Sequence, residues 1–380
     1  MKLVIVSHTP HYQKEGRIVG WGATIREINY LAKLFKEVVH IAPLHQEATP
    51  IGSLAYETPS IVFKPVPPSV GNGFLHYLDL LLRMPIYARH ILAELKQADV
   101  VHVRCPAAIS LIACFLLFFV RKPKIRWVKY AGNWRPEAKE PWSYALQHWW
   151  LEKNLARSIV TVNGEWPDQP KHIHSFLNPC LTAEEIMEAE ILGKEKKLFQ
   201  PVHLLFVGRL ETEKGVAHCL EIAAKLFKKG ISFYLDFIGD GPEREKFKKM
   251  ADDLILSEQV RFQGWLSRKA LNSFYAKAHF LILPSQTEGW PKVISEGMAY
   301  GVIPLVSATG CIPQYLRKMG VGRAFNPDQP EDFAEAIGSY LVDPIRWKKE
   351  ALEAIGYASQ FSYENYLKSV EQILFKIPSL

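Results

Sequence analysis

The stretch Phe280-Leu-Ile-Leu-Pro-Ser-Gln-Thr-Glu-Gly-Trp-Pro-Lys-Val-Ile-Ser-Glu-Gly-Met-Ala-Tyr-Gly301 decides how the chain is read. Its first four residues are apolar and read as a strand buried on both faces; a polar turn follows, then the pattern of a short helix. Pro291 suits the first helical position, where its fixed φ is already helical and its missing N–H would have had no partner. Gly301 stops that helix after about three turns. Glu288 stands in the loop and Glu296 on the second helical turn, so both carboxylates can face a ligand held at the helix N-terminus. Unpaired N–H groups and the positive end of the macrodipole favour a phosphate there, with hydroxyl-rich neighbours for the carboxylates. The competing reading is an ordinary solvated turn.

Outward from this stretch, the same strand–loop–helix unit recurs. On its N-terminal side the pattern predicts strands over 202–207, 233–238 and 260–262, alternating with helices over 215–229, 242–256 and 268–278; a strand over 302–306 follows it. The first half opens with a buried strand over 2–7 and a polar loop over 8–19. Gly20-Trp-Gly22 then leads into a helix carrying Ile25, Ile28, Leu31, Leu34 and Phe35. Strands over 38–42, 61–63, 99–103 and 125–130 alternate with helices over 74–97 and 107–120. Such alternation predicts an α/β fold of two doubly wound, Rossmann-like parallel-sheet domains. The expected domains are an N-terminal one over 1–178, a linker with a solvated helix over 179–200, and a C-terminal one over 201–356. A terminal helix over 357–380, with Phe361, Tyr366, Val370, Ile373 and Leu374 as its stripe, must cover something. Tandem domains of this kind face each other across a cleft, and ligands of open α/β sheets bind beyond the carboxyl ends of the strands.

Two domains also fit the length of 380 residues, and 48% hydrophobic with 22% charged residues is the composition of a soluble globular protein. The net charge of +7 is uneven: residues 1–178 hold 21 Lys+Arg against 13 Asp+Glu, or +8, and the remainder 25 against 26, or −1. The first half therefore suits an anionic partner such as a lipid surface or a phosphorylated acceptor, or is simply a solvated basic face. Five cysteines without C-x-x-C spacing read as reduced cytosolic thiols. The opening apolar run is too short for a signal peptide, and the longest one, 107–120, falls short of the ~20 residues that span a bilayer. A cytoplasmic protein is expected.

Three further loops carry chemistry. In Val207-Gly-Arg-Leu-Glu-Thr-Glu-Lys-Gly215, Gly208 allows a tight turn, and Arg209 and Lys214 can clamp a diphosphate, one as a planar fork and one as a point charge. Surface ion pairs with Glu211 or Glu213 are the alternative. Gly239-Asp-Gly241-Pro242 is a fragment of the dinucleotide fingerprint, but Arg244 stands where its third glycine belongs, which argues against a nicotinamide-dependent oxidoreductase. Trp265 and Leu266, after Gly264, can offer backbone groups to a nucleotide base.

Together G-R-L-x-x-x-K-G, G-D-G-P, V-x-F-x-G and P-S-x-x-E-G-x6-E-G-M-A-x-G resemble the retaining glycosyltransferases of the two-domain GT-B fold, family 4 (glycosyl transferases group 1). The resemblance is strong over 202 to 320 and looser before it. It implies that Arg209 and Lys214 neutralise the diphosphate of a nucleotide-sugar donor, UDP- or GDP-linked, and that Glu296 accepts the ribose hydroxyls. Glu288 would hold the donor sugar, and the backbone of Gly289, Trp290, Pro291, Lys292 and Val293 would touch sugar and phosphate. Gly20 and Gly22 would let a first-domain loop approach the phosphates, and the terminal helix would cross back onto the first domain. Fixed cations at the leaving phosphate make a metal unnecessary, and no D-x-D triplet suggests one; neither metal nor cofactor is expected beyond the co-substrate. The chain departs from the family where many relatives carry His-Gly: here stands Ala131-Gly132, followed by Asn133. The role of that histidine passes to Asn133 or Tyr130, or to nothing, and no general base is assigned. His102, in an apolar strand, reads as a core residue.

For a saccharide or lipid-linked acceptor the first domain offers His8, His11, Lys14 and Arg17 after its first strand, and the aromatic and basic set around Asn133, Trp134, Arg135, Trp142, Trp149 and Trp150. Leu78, Leu81, Leu82 and Met84 with Arg83 and Arg89, and the run 115–120 followed by Arg121-Lys-Pro-Lys124, suit helices resting on an anionic membrane. Helix packing in the protein's own core is the other reading of both. The function expected is transfer of a hexose-type sugar in cell-surface polysaccharide or lipopolysaccharide synthesis; a nucleotide-sugar-binding module without turnover and an epimerase on the same fold are the alternatives.

Overall fold

The computed structural model describes residues 1–69, 73–136 and 140–376, with the side chains of 73–78 outside that description. The chain divides into two compact units: Met1–Phe176 with the C-terminal segment from Tyr366, and Leu177–Asn365.

In the first unit the elements run β1 (Lys2–Val6), β2 (His11–Lys14), β3 (Arg17–Trp21), α1 (Gly22–Leu31), β4 (Glu37–Pro43), β5 (Ser53–Ala55), β6 (Ile61–Val66), α2 (Gly73–Leu95), β7 (Val100–Cys105), α3 (Ala108–Phe119), β8 (Ile125–Tyr130), α4 (Trp142–Glu152), β9 (Ile159–Val162) and β10 (Ile173–Ser175). A parallel sheet forms in the order β10-β9-β8-β7-β1-β4-β6. β1 lies inside it, between β7 and β4, and four of its five residues are buried, as its unbroken apolar run requires.

The region read as a polar loop over 8–19 is instead a hairpin. β2 and β3 pair antiparallel around Glu15-Gly16, both at positive φ (51° and 75°), the geometry of a two-residue hairpin turn. Four-residue strands give too little alternation to be legible. β9 and β10 were likewise not anticipated.

Inside this unit a hydrogen-bonded chain is buried. The Ser7 hydroxyl lies 2.7 Å from His40 Nε2, His40 Nδ1 2.7 Å from the Tyr56 hydroxyl, that hydroxyl 2.8 Å from His11 Nε2, and His11 Nδ1 2.8 Å from the Thr9 carbonyl. The carbonyl only accepts, so His11 Nδ1 donates to it. Each link is then satisfied in one direction with both imidazoles neutral. Burial lowers His11 to about 4 and holds His40 well below the ordinary imidazole value. Because the unfolded chain binds protons that the folded one refuses, stability is full above the unfolded value of 6.5 and declines as pH falls toward 4. Thermal melts across that window should show a falling midpoint, with the ring resonances of His11 still those of a neutral imidazole below pH 6.5. A His11 that titrates normally in the folded protein would refute it.

The second unit runs α5 (Ala183–Glu195), β11 (Val202–Val207), α6 (Val216–Lys228), β12 (Phe233–Ile238), α7 (Arg244–Asp253), β13 (Val260–Gly264), α8 (Arg268–Lys277), β14 (Phe280–Leu283), α9 (Lys292–Ala299), β15 (Ile303–Ser307), α10 (Ile312–Met319), β16 (Arg323–Phe325), α11 (Pro330–Val342) and α12 (Pro344–Ala358). Its parallel sheet has the order β13-β12-β11-β14-β15-β16. The helix read as a solvated linker is α5, which belongs to this unit. Thr182 and Glu185 cap it reciprocally, and Ile186, Ala189 and Gly193 form its buried stripe. Gly193 packs so closely that a Cβ there would stand 2.7 Å from the Tyr300 carbonyl carbon.

The terminal helix is broken at Ser359–Phe361 and resumes as α13 (Tyr363–Glu371). Its Tyr366 and Val370, with Ile373 and Leu374 beyond, join Leu3, Ile5, Ile28 and Leu31 in the core of the first unit, so the chain returns to the domain where it began. Ile377 lies outside the described residues. The Tyr366 hydroxyl donates to Glu27 (2.8 Å), a buried carboxylate that also pairs with Arg104 (2.8 Å) and Lys129 (2.9 Å). All five cysteines are buried and unbridged. His102 is buried and stacked on Trp127, with ring centroids 3.7 Å apart.

Candidate active site

In the second unit the loops that follow β11, β12 and β14 meet backbone to backbone, and glycines permit it. A Cβ on Gly239 would stand 2.0 Å from the Gly208 carbonyl oxygen, and one on Gly241 2.4 Å from that of Leu210. The G-R-L and G-D-G motifs are therefore two halves of one packed ridge. Leu210 N–H donates to the Asp240 carbonyl (3.1 Å) across it. A single 3-10 turn over Thr212–Lys214 ends at Gly215, whose φ is 76°. A Cβ there would stand 2.0 Å from the Pro284 carbonyl oxygen.

That close approach joins the turn to the loop after β14. Gln286 N–H donates to the Glu213 carbonyl (3.0 Å), the Ser285 hydroxyl reaches the Lys214 carbonyl (3.4 Å), and the Lys214 ammonium lies 2.7 Å from Glu288. Lys214 and Glu288 are both partly buried. Arg209, by contrast, is mostly exposed and leans on Glu211 at 2.5 Å. The surface ion pair weighed from the sequence thus exists for Arg209, while Lys214 takes the distant Glu288.

Past Glu288 the chain turns into α9. Pro291 is the residue before the first helical one, with ψ of 125°, rather than its first turn. The Trp290 ring is a packing anchor: buried, stacked on Phe361 (5.6 Å), and donating from Nε1 to the Ser295 hydroxyl (2.8 Å). Only its backbone is thus placed to serve a ligand, alongside those of Gly289, Lys292 and Val293 at the start of the helix, where N–H groups have no intrahelical acceptor.

Glu296 is held from behind by α8, which the sequence reading did not assign to the site. Its carboxylate accepts from the Tyr275 hydroxyl (3.0 Å) and lies 3.3 Å from the Arg268 guanidinium. Arg268 also pairs with Glu185 (2.9 Å) and donates to the Cys180 carbonyl (2.7 Å). Burial, with Glu296 beside it, raises the Tyr275 hydroxyl far above the ordinary phenol value, so it remains a donor. Leu271 and Asn272 join these side chains in lining a small cavity next to Glu296. A carboxylate has about four lone-pair directions, so these two bonds leave Glu296 capacity for a diol. Arg268 and Tyr275 are seven residues apart on one helix, two turns on the same face, and that spacing was the available signal. Trp265 and Leu266 form the turn that leads into α8, where Ser267 caps Ala270 N–H (3.3 Å).

The first-unit candidates need correction. His11 is not in a loop but inside β2 and fully buried, and Trp134 is buried edge-on against Tyr130 (5.2 Å) and His148 (4.1 Å); neither ring is presented to solvent. Gly20 lies in β3 and Gly22 opens α1. A Cβ on Gly20 would strike the His11 ring at 2.7 Å, and one on Gly22 the Gly52 carbonyl oxygen at 2.3 Å, so packing accounts for both glycines. Arg17 is exposed at the hairpin, and Asn133 is half-buried, accepting from Arg135 N–H (3.1 Å).

Residues 188–360, a little under half the chain, match the family model described as glycosyl transferases group 1. Alpha-D-kanosaminyltransferase of Streptomyces kanamyceticus is 28% identical over 195 residues, 50% of each chain. Lipopolysaccharide core biosynthesis glycosyltransferase LpsE of Rhizobium meliloti is 31% identical over 177 residues, 46% of this chain and 50% of its own. The chain thus spans about half the length of these curated relatives. Anabaena HepE in complex with UDP and glucose superimposes over 99% of this chain and 100% of its own, with a TM-score of 0.68 at 16% identity, which shows the shared GT-B fold. Fold and matched segment together support a group 1 glycosyltransferase.

Proposed function

We propose that this protein is a retaining, metal-independent glycosyltransferase of family 4. It transfers a hexose-type sugar from a UDP- or GDP-sugar to a saccharide or lipid-linked acceptor in cell-surface polysaccharide or lipopolysaccharide synthesis. The observation that carries this is the Lys214–Glu288 pair at 2.7 Å, bridging two strand-end loops beside the start of α9, with Glu296 one turn further along. Lys214 and Arg209 meet the donor diphosphate, whose charge grows as the sugar–phosphate bond breaks, and fixed cations favour that state over the ground state. Glu288 takes sugar hydroxyls and Glu296, oriented by Arg268 and Tyr275, the ribose diol. The relative bound to UDP and glucose supports a donor of this class. The protein works in the cytoplasm, peripheral to the membrane.

Incubation with UDP-, GDP- and ADP-sugars should release nucleoside diphosphate slowly, and faster with an acceptor. Binding without release under every acceptor would instead make the chain a nucleotide-sugar-binding module. Glu296→Ala should weaken nucleoside diphosphate binding about tenfold or more, the worth of one or two hydrogen bonds to a charged group. Unchanged affinity by calorimetry would remove Glu296 from the ribose.

A further inference from the structure

We propose that the outer face of α2, α3 and α4 is a docking surface for an anionic lipid bilayer. The inference rests on the peripheral location proposed above and not on the reaction. Phe115, Phe118 and Phe119 are all exposed over the last two turns of α3, and their rings and that of Trp150 lie against one another with centroids 5.0 to 5.9 Å apart. Leu81 and Leu82 on α2, which packs beside α3, are 60% and 72% exposed. A soluble surface seldom leaves so many large apolar side chains together in water.

Charge selects the occupant. Directly after α3 stand Arg121, Lys122 and Lys124, all exposed, and among the described residues none has an acidic partner. Apolar side chains with unpaired cations at their border match the acyl boundary and the anionic headgroups above it. A second copy seated on this face by two-fold symmetry would bring like cations toward each other. At 12 residues, α3 is far too short to span a bilayer, and among the described residues no helix is long and apolar enough to cross one, so the helix lies on the surface.

The test is co-sedimentation of the full chain with phosphatidylcholine vesicles, with and without phosphatidylglycerol. Binding is expected to the anionic vesicles and to weaken with salt. Arg121→Ser with Lys122→Ser should lower the affinity about 25-fold, at roughly fivefold per charge. Phe119→Ser should also lower it, and since all three side chains are exposed, melting points should hold. Equal binding to neutral vesicles, or to anionic ones by the charge variant, would overturn the proposal. So would a lipid-free dimer in sedimentation that Phe119→Ser dissolves, since the face would then be covered by a second copy. None of these readouts requires turnover, so a protein without transferase activity still decides the question.

Discussion

Glu288→Ala is expected to lower turnover about 10²-fold or more while leaving nucleoside diphosphate affinity close to that of the unaltered protein. Among the described residues the carboxylate has one partner, the Lys214 ammonium at 2.7 Å, and the two come from loops that follow different strands. Removing the carboxylate takes away the proposed grip on the sugar hydroxyls. A sugar free to rotate about its phosphate rarely presents its reacting carbon correctly, and misplacement of this kind costs rate rather than binding. It also leaves Lys214 with a freed charge, which holds or strengthens the diphosphate contact. Steady-state turnover with a saturating donor, set beside calorimetry with the nucleoside diphosphate, separates the two effects. If affinity falls as far as turnover does, Glu288 serves chiefly to aim Lys214 at the phosphates and the sugar is held by other groups. Glu288→Gln sharpens the result, because an amide keeps the shape and can still bond a hydroxyl but attracts no ammonium.

The parallel sheets were legible because their strands are continuous apolar runs; β11, β12, β14 and β15 are buried almost throughout. The hairpin β2–β3 was not, since its four- and five-residue strands are half exposed and carry no clear alternation. Helix α5 misled because Glu and Lys dominate its composition, while the three small or apolar residues that dock it are spaced for a single narrow stripe. At the site, local spacing placed Lys214, Glu288 and Glu296 correctly on their loops and helix. It could not place Arg268 and Tyr275, whose grip on Glu296, with Glu185 holding Arg268, depends on how α5 and α8 pack beside α9. His11 and Trp134 show the converse failure. A polar or amphipathic side chain next to a strand end reads as a ligand group, yet one is consumed by a buried hydrogen-bond chain and the other by ring packing.

Gly215→Ala should cost roughly 2 to 4 kcal/mol. Two effects combine. An L side chain at φ 76° pays the left-handed penalty of about 1 kcal/mol, and the new methyl would stand 2.0 Å from the Pro284 carbonyl oxygen, where backbone must move. Against a total stability of about 5 to 15 kcal/mol, that is a large fraction. Gly230→Ala isolates the first effect, because Gly230 has φ 69° and open space around it. Denaturant unfolding of both variants should show Gly215→Ala the worse by about 1 to 3 kcal/mol, the overlap alone. Relief of the overlap parts the turn over Thr212–Lys214 from the loop after β14, so the Lys214–Glu288 distance grows from 2.7 Å. The folded fraction of Gly215→Ala should accordingly lose donor turnover as well as stability, whereas Gly230→Ala keeps it. Equal costs for the two variants would mean that the loops separate freely, and that neither the turn nor Pro284 fixes the distance between ammonium and carboxylate.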